Sequence, residues 1–339
     1  MSAARVGLDA RLTRQLSAGM KTYVRELVAR LPQVAPEYAY VPFASGTNFG
    51  WSEQVRLPFA MRRARLDLVH FLSQYVPVVT PPRFVITIHD LIHLRFPEYF
   101  KRKVRPYYAT IVRRACARAR RVITDDARTV EDLVTFLGVE RAKIRVIPLG
   151  VAERFSQASA PFAAPRPYLL YVGNHREHKN LATLFTAWSA LPGRCRVDLY
   201  LTGADDLGGE LQRLSSGDRA VVALGDVPEE RLVSLYAGAR ALVQPALREG
   251  FGLPMLEAMA AGCPVVASDE AVPGVLEEAA LTFGARDAGA LRRVLENLLD
   301  DEGARARSIE LGRRAAVEFT WDRCARATAD VYREVLEQS

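Results

Sequence analysis

Short apolar runs alternate with longer amphipathic stretches along the whole chain. In the first half, the apolar runs predict strands over residues 5–8, 68–71, 84–88, 122–124 and 144–147. Stretches with helical spacing of apolar positions predict helices over residues 22–31, 102–120 and 128–137. This alternation is typical of parallel α/β layers.

The second half repeats the alternation. Apolar runs predict strands over residues 168–172, 197–201, 220–224, 241–244 and 264–267. Helices are predicted over residues 181–190, 229–237 and 254–261, and the chain after Asp287 is predicted to be helical to its end. Ligands of doubly wound sheets bind at the carboxyl ends of the strands, so functional residues are expected there.

The length of 339 residues favours about two domains. Residues 156–167 are rich in Ala, Pro and Ser and lack periodicity, which is typical of a linker between domains. We therefore predict a first domain over residues 1–160, a second over residues 166–320 and a terminal helix over residues 321–339.

The composition is that of a globular protein, with 49% apolar and 25% charged residues. No apolar run reaches the roughly 20 residues needed to span a bilayer, and the N-terminus lacks an apolar signal core, so a cytoplasmic location is expected. The four cysteines lie far apart and form no CxxC pair, which disfavours zinc and disulfides and fits a reducing compartment.

Charge is distributed unevenly. Residues 1–165 contain 26 Lys and Arg but only 13 Asp and Glu, whereas the remaining residues are net acidic. Within the first half, residues 101–121, from Lys101 to Arg121, contain nine basic residues and no acid. This stretch fits a solvated helix face, an anionic membrane surface or a nucleic-acid partner, and the sequence matches no recognised nucleic-acid-binding motif.

The most informative string is REGFGLPMLEAMAAGCPVVAS, at residues 248–268. It places Glu249 and Glu257 eight positions apart around a glycine-rich turn. Gly250 and Gly252 allow the backbone to approach a ligand closely, and Pro254 favours the first turn of a helix. The alternative is a capped helix that carries two surface glutamates.

The start of that helix is a candidate phosphate site. The amides of Phe251, Gly252 and Leu253 would point out of the helix N-terminus, where anions are stabilised. Carboxylates so close to a phosphate would be repelled, so the two glutamates are better suited to binding hydroxyl groups. An anion site flanked by hydroxyl acceptors describes a nucleotide-sugar site.

A second candidate loop follows the first strand of the second half, in the string YVGNHREHKNL. Gly173 permits a turn, and Arg176 and Lys179 follow it before a helix. Lys179 as a point charge and Arg176 as a fork could clamp a diphosphate. The alternative is a basic loop in water.

Together these strings resemble glycosyltransferase family 4, whose members are retaining enzymes of the GT-B fold. Residues 248–268 resemble its E-x7-E segment, and His178-Lys179-Asn180 resembles its phosphate-binding lysine. The resemblance implies two Rossmann-like, doubly wound parallel-sheet domains that face each other across a cleft. It also implies that the terminal helix crosses back onto the first domain.

The resemblance also assigns roles to residues. Gly19 would let a loop pass near the donor, and His89 would contact the transferred sugar or orient the acceptor. Glu249 would hold hydroxyls of the donor sugar, and Glu257 those of the ribose. The loop that contains Val227 would line the nucleotide base.

Stabilisation of the leaving diphosphate is expected without a metal, because the chain contains no Asp-x-Asp motif. Lys179, Arg176 and the amides after Gly250 would serve instead, and no cofactor is required. The GN-x-x-x-HKN loop favours GDP-mannose, with UDP-sugars as the alternative donors. The acceptor would be a glycan or a lipid-linked glycan, and the enzyme would sit peripherally on the inner face of the cell membrane.

Three other functions compete with this one. The chain could be a nucleotide-sugar epimerase of the GT-B fold, although the E-x7-E string differs from the signature of such enzymes. It could bind nucleic acid through its basic half, which would leave the phosphate site and its glutamates unexplained. It could be an inactive partner subunit, which the presence of Glu249, Glu257 and Lys179 disfavours.

Overall fold

A computed structural model describes residues 3–102, 104–157, 159–203 and 219–338 of the chain. It divides into two compact units, one formed by residues 1–150 with 319–339 and the other by residues 151–318. The segment at 156–167, which was predicted to link two domains, therefore falls within the second unit. The C-terminal residues fall within the first.

The first unit contains a six-stranded sheet in which all strands are parallel, in the order β2-β1-β3-β4-β5-β6. Its strands are β1 Arg5–Asp9, β2 Ala39–Phe43, β3 Leu68–Phe71, β4 Phe84–Thr87, β5 Arg121–Thr124 and β6 Ile144–Val146. Because all strands run the same way, their carboxyl ends share one edge of the sheet.

Helices cover this sheet. They are Ala18–Val34, Leu57–Arg63, Ile92–Arg95, Val104–Tyr107, Arg113–Arg118, Ala127–Leu137 and Trp321–Glu337, with π-helical turns at Ser52–Arg56 and Tyr108–Val112 and 3₁₀ turns at Pro97–Tyr99 and Arg141–Lys143. The terminal helix packs against Ala18–Val34 and buries Trp321 and Tyr332 almost completely.

The second unit contains another six-stranded parallel sheet, in the order β12-β11-β10-β7-β8-β9. Its strands are β7 Tyr168–Tyr171, β8 Asp198–Thr202, β9 Val221–Gly225, β10 Ala241–Gln244, β11 Val265–Ser268 and β12 Leu281–Phe283. The helices are Leu181–Ser189, Glu229–Gly238, Leu253–Ala260, Ala288–Asp300 and Glu302–Val317, with 3₁₀ turns at Glu153–Phe155, Glu177–Lys179 and Gly274–Ala279.

Differences from the sequence-based prediction include two edge strands, the unpredicted helices Leu57–Arg63 and Ile92–Arg95, and one interrupted helix. β2 is partly exposed and contains Pro42, and β12 has only three residues, so neither carries a strong apolar signal. The helix predicted over residues 102–120 is interrupted by the π-helical turn Tyr108–Val112. Pro106 lies two residues before that turn, within the short helix Val104–Tyr107.

Two further observations concern the described part of the chain. None of its helices has both the length and the apolar character needed to cross a membrane. Its four cysteines, Cys116, Cys195, Cys263 and Cys324, are buried free thiols.

Candidate functional site

Lys179 and Glu249 form an ion pair in the second unit, with 2.5 Å between Nζ and Oε1. Lys179 ends the 3₁₀ turn Glu177–Lys179 that follows β7, and Glu249 lies in the loop that follows β10. Because β7 and β10 are hydrogen-bonded neighbours, their carboxyl ends bring the two loops together. The structure thus brings together two sequence motifs that lie far apart in the chain, YVGNHREHKNL and residues 248–268.

Asn180, which was not predicted to belong to the site, holds the lysine loop in place. Its φ of 56° lies in the left-handed region, where asparagine is one of the better-tolerated residues. Its Nδ2 donates to the carbonyls of Pro245 at 3.0 Å and Ala285 at 2.7 Å, and Thr183 donates to its Oδ1. One side chain therefore ties together the loops after β7, β10 and β12.

Gly252 forms the start of the helix Leu253–Ala260. Its φ is +74°, and a Cβ atom there would lie 2.2 Å from Cε of Met255. The left-handed φ favours glycine here, whereas the Met255 methyl is the end of a flexible side chain and can shift; Pro254 follows in the first helical turn. Phe251 and Leu253, on either side of Gly252, are both buried. The tight turn at Gly252 places the N-terminus of the helix next to the loop that contains Glu249.

Glu257 lies further along the same helix, where Tyr236 donates a hydrogen bond to its Oε2 at 2.9 Å. Burial raises the pKa of Glu257 to about 7, and the hydrogen bond from Tyr236 offsets only part of that increase. Repulsion from Glu229 adds to the increase, whereas Arg154 opposes it. The residue as a whole is partly exposed, and a pKa of about 7 places its ionisation near neutral pH.

The remaining donor-side residues are more loosely placed. Arg176 is exposed, and its backbone amide donates to Asn174 at 3.4 Å. Gly250 and Val227 are partly exposed, and Val227 follows the end of β9. The backbone amide of Lys179 donates to the carbonyl of Arg176 at 2.8 Å, but within the described residues no side-chain hydrogen bond or ion pair joins Arg176 or Val227 to Lys179 or Glu249.

His89 follows β4 in the first unit and is almost completely buried. Its Nδ1 lies 2.6 Å from Oδ2 of Asp125, and its Nε2 lies 3.2 Å from the carbonyl of Leu72. Both partners are hydrogen-bond acceptors, and this geometry favours the protonated imidazole, although burial also raises the pKa of Asp125. Burial alone would lower the pKa of His89, but the Asp125 carboxylate outweighs burial and holds that pKa above its ordinary value.

Asp125 does not cap the helix that follows it. The cap is Asp126, whose side chain accepts from the amide of Arg128 at 2.7 Å and begins the helix Ala127–Leu137. Asp125 instead reaches His89 from the neighbouring strand. The pairing of β4 with β5 is the signal that links them, since Asp125 directly follows β5 and His89 lies two residues after the end of β4.

Gly19 was expected in a loop, and that expectation was wrong. The helix begins at Ala18, so Gly19 lies in its first turn. Ser17 caps the helix by accepting from the amide of Met20 at 3.3 Å. A hydroxyl at the cap is sufficient to start the helix there, several residues before the predicted residue 22.

A chain of buried polar groups lies behind His89. The ring of Tyr23 meets His89 edge-on at 4.7 Å, and its hydroxyl is 3.0 Å from Oγ1 of Thr87. That oxygen is 2.8 Å from Nε2 of His70, whose Nδ1 is 2.7 Å from the hydroxyl of Tyr332. Burial lowers the pKa of His70 to about 3, so this second histidine is neutral.

No cluster of three or more His, Cys, Asp or Glu side chains that could hold a metal occurs among the residues that the structure describes. Metal-independent action therefore stays a prediction.

Comparisons with known proteins agree with this arrangement. Residues 166–301 match the family model "Glycosyl transferases group 1", and residues 22–154 match "Glycosyltransferase Family 4". O-antigen chain mannosyltransferase B of Escherichia coli is 28% identical over 294 residues, which cover 82% of this chain and 77% of that protein.

Solved structures share the fold across nearly the whole chain. Sucrose-phosphate synthase from Thermosynechococcus elongatus superposes with a TM-score of 0.74 at 21% identity, covering 99% of this chain and 100% of that one. HepE of Anabaena in complex with UDP-glucose superposes with a TM-score of 0.72 at 17% identity, covering 98% and 99%.

Proposed function

The chain belongs to glycosyltransferase family 4 and is a glycosyltransferase of the GT-B fold, and we propose that it moves a sugar from a nucleotide-sugar donor to a glycan or lipid-linked acceptor with retention of configuration and without a metal. The two six-stranded parallel sheets confirm the predicted fold class. The donor, the stereochemistry and the independence from metal are the proposed part.

The ion pair between Lys179 and Glu249 carries this proposal. Both side chains are mostly buried, with 14% and 13% of their surfaces exposed, and each satisfies the charge of the other when no donor is bound. A diphosphate would attract the Lys179 ammonium and release Glu249, whose carboxylate could then accept hydroxyl groups of the donor sugar. Donor binding would thus replace one internal pair by two contacts to the ligand.

Charge on the leaving diphosphate would be stabilised by fixed groups. Lys179 supplies a full positive charge, and the amides of Phe251, Gly252 and Leu253 face the phosphate at the helix N-terminus after Gly250. The exposed side chain of Arg176 could move to the diphosphate and bind it through two N–H groups. These groups need no reorganisation at the moment of transfer, which is why we propose that no metal is required.

The nucleoside would be held by Glu257 and by the loop that contains Val227. The half-buried carboxyl of Glu257 accepts ribose hydroxyls once it is ionised, and Tyr236 fixes its orientation. Val227 would lie against the base.

On the first unit, we assign His89 to the reacting sugar or the acceptor. Its bond to Asp125 is short and charged, whereas its 3.2 Å bond to the Leu72 carbonyl is the weaker one and can be exchanged for a substrate oxygen. The ring would then donate a proton or a hydrogen bond from Nε2. In the first turn of its helix, Gly19 offers backbone without a side chain for a close approach.

We favour GDP-mannose as the donor, because the E. coli relative is named as a mannosyltransferase and the GN-x-x-x-HKN loop agrees. A UDP-sugar is the alternative, because the HepE structure was solved with UDP-glucose. The transferase relatives disfavour the epimerase, and product analysis with donor alone would detect that activity. We also propose a peripheral cytoplasmic position on anionic lipid, with residues 101–121 facing the membrane.

Lys179→Ala and Glu257→Ala test the proposal directly. Each variant should lose measurable transfer from radiolabelled GDP-mannose or UDP-glucose while its circular dichroism is unchanged. Arg194→Ala is a matched control, because that exposed side chain forms its ion pairs with the helix Ala288–Asp300 and should leave turnover as it is. Full turnover in either site variant would contradict the assignment.

Ligand binding can be tested without knowledge of the acceptor. GDP or UDP should raise the melting temperature of the native protein and leave that of Lys179→Ala unchanged, because only the folded native site offers the cation.

A further inference from the structure

The helical segment that follows β2 presents large apolar side chains to solvent. Trp51, Val55 and Phe59 are 81%, 48% and 67% exposed, and their four-residue spacing places them along one face. The opposite face, with Leu57 and Met61, belongs to the core of the first unit. A run of this kind on an isolated chain is costly in water unless it meets an apolar partner.

The loop after β3 widens this apolar surface. Val78 and Val79 are 59% and 65% exposed, and the amide of Val78 donates to Oε1 of Gln54 at 2.9 Å, so the loop lies against the same helical segment. We call Trp51, Val55, Phe59, Val78 and Val79 together the apolar face.

A buried network of ion pairs and hydrogen bonds around Arg11 supports the apolar face from the inner side. Glu53, on the inner side of the same segment, is completely buried and lies 3.3 Å from the guanidinium of Arg11. Arg11 also binds both oxygens of Asp9 at 2.7 Å and donates to the carbonyls of Thr47 and Tyr75. The segment and the loop are therefore fixed to the end of β1, and their apolar side chains are held outward.

The charges beside the apolar face are all positive. Arg56, Arg62, Arg63 and Arg65 are exposed and form no ion pair with any described residue. Glu53 is the single acid between residues 44 and 66, and its burial against Arg11 removes it from the surface. An apolar stripe with cations and no exposed acid matches the interface of an anionic bilayer, into which Trp and Phe insert while arginines meet the headgroups.

We propose that the apolar face inserts into an anionic lipid bilayer and that the four arginines bind its headgroups. A second copy of the chain is a poorer occupant, because it would bring the same four positive charges against them. The inference deepens the proposed attachment to anionic lipid, and it is independent of the proposed sugar transfer.

Trp51 provides an intrinsic fluorescence probe for insertion of the apolar face. The other two tryptophans, Trp188 and Trp321, are only 1% exposed, so a change in tryptophan emission on adding vesicles reports mainly on Trp51. Vesicles of phosphatidylglycerol and phosphatidylcholine should shift the emission to shorter wavelength, and brominated acyl chains should quench it. Vesicles of phosphatidylcholine alone should do neither at the same concentration.

Substitutions separate the apolar and the charged contributions. Val55→Ser with Phe59→Ser should lower binding in vesicle flotation by about a hundredfold or more, because each substitution removes a large apolar side chain from the bilayer. Arg62→Gln with Arg63→Gln should lower it about fivefold for each arginine. Val317→Ser, at a 73% exposed valine of the second unit, is the matched control and should bind as the native protein does.

Several outcomes would overturn the inference. One is native binding by the Val55 and Phe59 variant while Lys101→Gln with Arg105→Gln fails to bind, which would assign attachment to the basic stretch alone. Another is equal binding to neutral vesicles. A third is that the native protein sediments as a dimer, that the Val55→Ser with Phe59→Ser variant does not, and that brominated acyl chains fail to quench the emission of Trp51. Transfer to a soluble acceptor without vesicles is measured in parallel, and its loss would speak against the proposed function instead.

Discussion

Three of the proposed functional residues are each held by a neighbour that itself takes no part in the proposed chemistry. Asn180 fixes the loop of Lys179, Tyr236 fixes Glu257, and Asp125 fixes His89. Asn180 is next to Lys179 in the sequence, and Tyr236 lies on a helix near that of Glu257. Asp125, in contrast, is 36 positions from His89. Positioning residues of this kind depend on strand pairing, so local sequence patterns do not reveal them.

Asp125→Asn should lower the pKa of His89, because burial would then act without the opposing carboxylate. Titration of the histidine ring signals by NMR measures this, with His89→Gln to assign the resonance. The contribution of the raised pKa to stability is complete below pH 6.5 and is lost as the pH rises through the folded-state pKa. The Asn variant should therefore lose more stability at pH 6 than at pH 9, and equal losses would contradict the ion pair.

The free energy of unfolding of Glu257→Gln, compared with that of the native protein, should increase as the pH rises. The carboxyl binds its proton more tightly when folded, with a pKa of about 7 against 4.5, so the native protein loses stability between these two pH values. The difference between variant and native protein should grow by on the order of 2 kcal/mol from pH 4.5 to pH 8 in urea titrations. The exposed Glu277→Gln is the control, and a pH-independent difference would show that Glu257 ionises normally.

At the scale of elements, the loops at the carboxyl ends of β7, β10 and β12 form one assembly around Asn180. Each loop begins where a strand of the same sheet ends. A change in this one side chain should therefore affect the geometry of the lysine loop and of the Glu249 loop together.

Asn180→Ala should raise the KM for the donor and lower the stability by about 2–4 kcal/mol, through lost hydrogen bonds and a strained backbone. Asn180→Gly separates these effects, because glycine accepts a φ of 56° but forms none of the side-chain bonds. The Gly variant should recover stability but not KM. Recovery of both would show that the side-chain bonds do not position the loop.

Most buried elements could be predicted from the sequence. β3 and β10 begin and end at the predicted residues, because a run of apolar residues between polar ones defines a central parallel strand clearly. The edge strands β2 and β12 and the π-helical turns were not predicted, since half-exposed strands lack that pattern and a π turn depends on tertiary packing. The helix after β2 was missed for a related reason: its outer face carries apolar residues, so it has no ordinary amphipathic pattern.

At the scale of the molecule, the chain returns to its first unit at its end. Trp321 begins the terminal helix against Gly150, where a Cβ atom would lie 2.1 Å from the Trp321 amide nitrogen. The same helix reaches the interior through the bond between Tyr332 and His70, and Arg30 pairs with Asp322 at its start. The sequence resemblance implied this return, but the packing partners required the structure.

Gly150→Ala should destabilise the first unit by about 3 kcal/mol, because the nearest atoms are backbone atoms that cannot rotate away. Hydrogen exchange should show faster opening in residues 1–150 and 319–339, with little change in residues 151–318. Gly193→Ala is the control, since no atom lies within 4 Å of the position that its new methyl group would take. Uniform loss of protection in both units would mean that they unfold as one.

The position of the terminal helix also sets the order of events during synthesis. Domains generally fold as they emerge from the ribosome. Here the sheet of the first unit lacks the helix Trp321–Glu337, and His70 lacks its tyrosine, until that helix has been translated. The first unit is thus completed only after residues 151–318 have been translated, and its unfinished core is exposed to aggregation in the meantime.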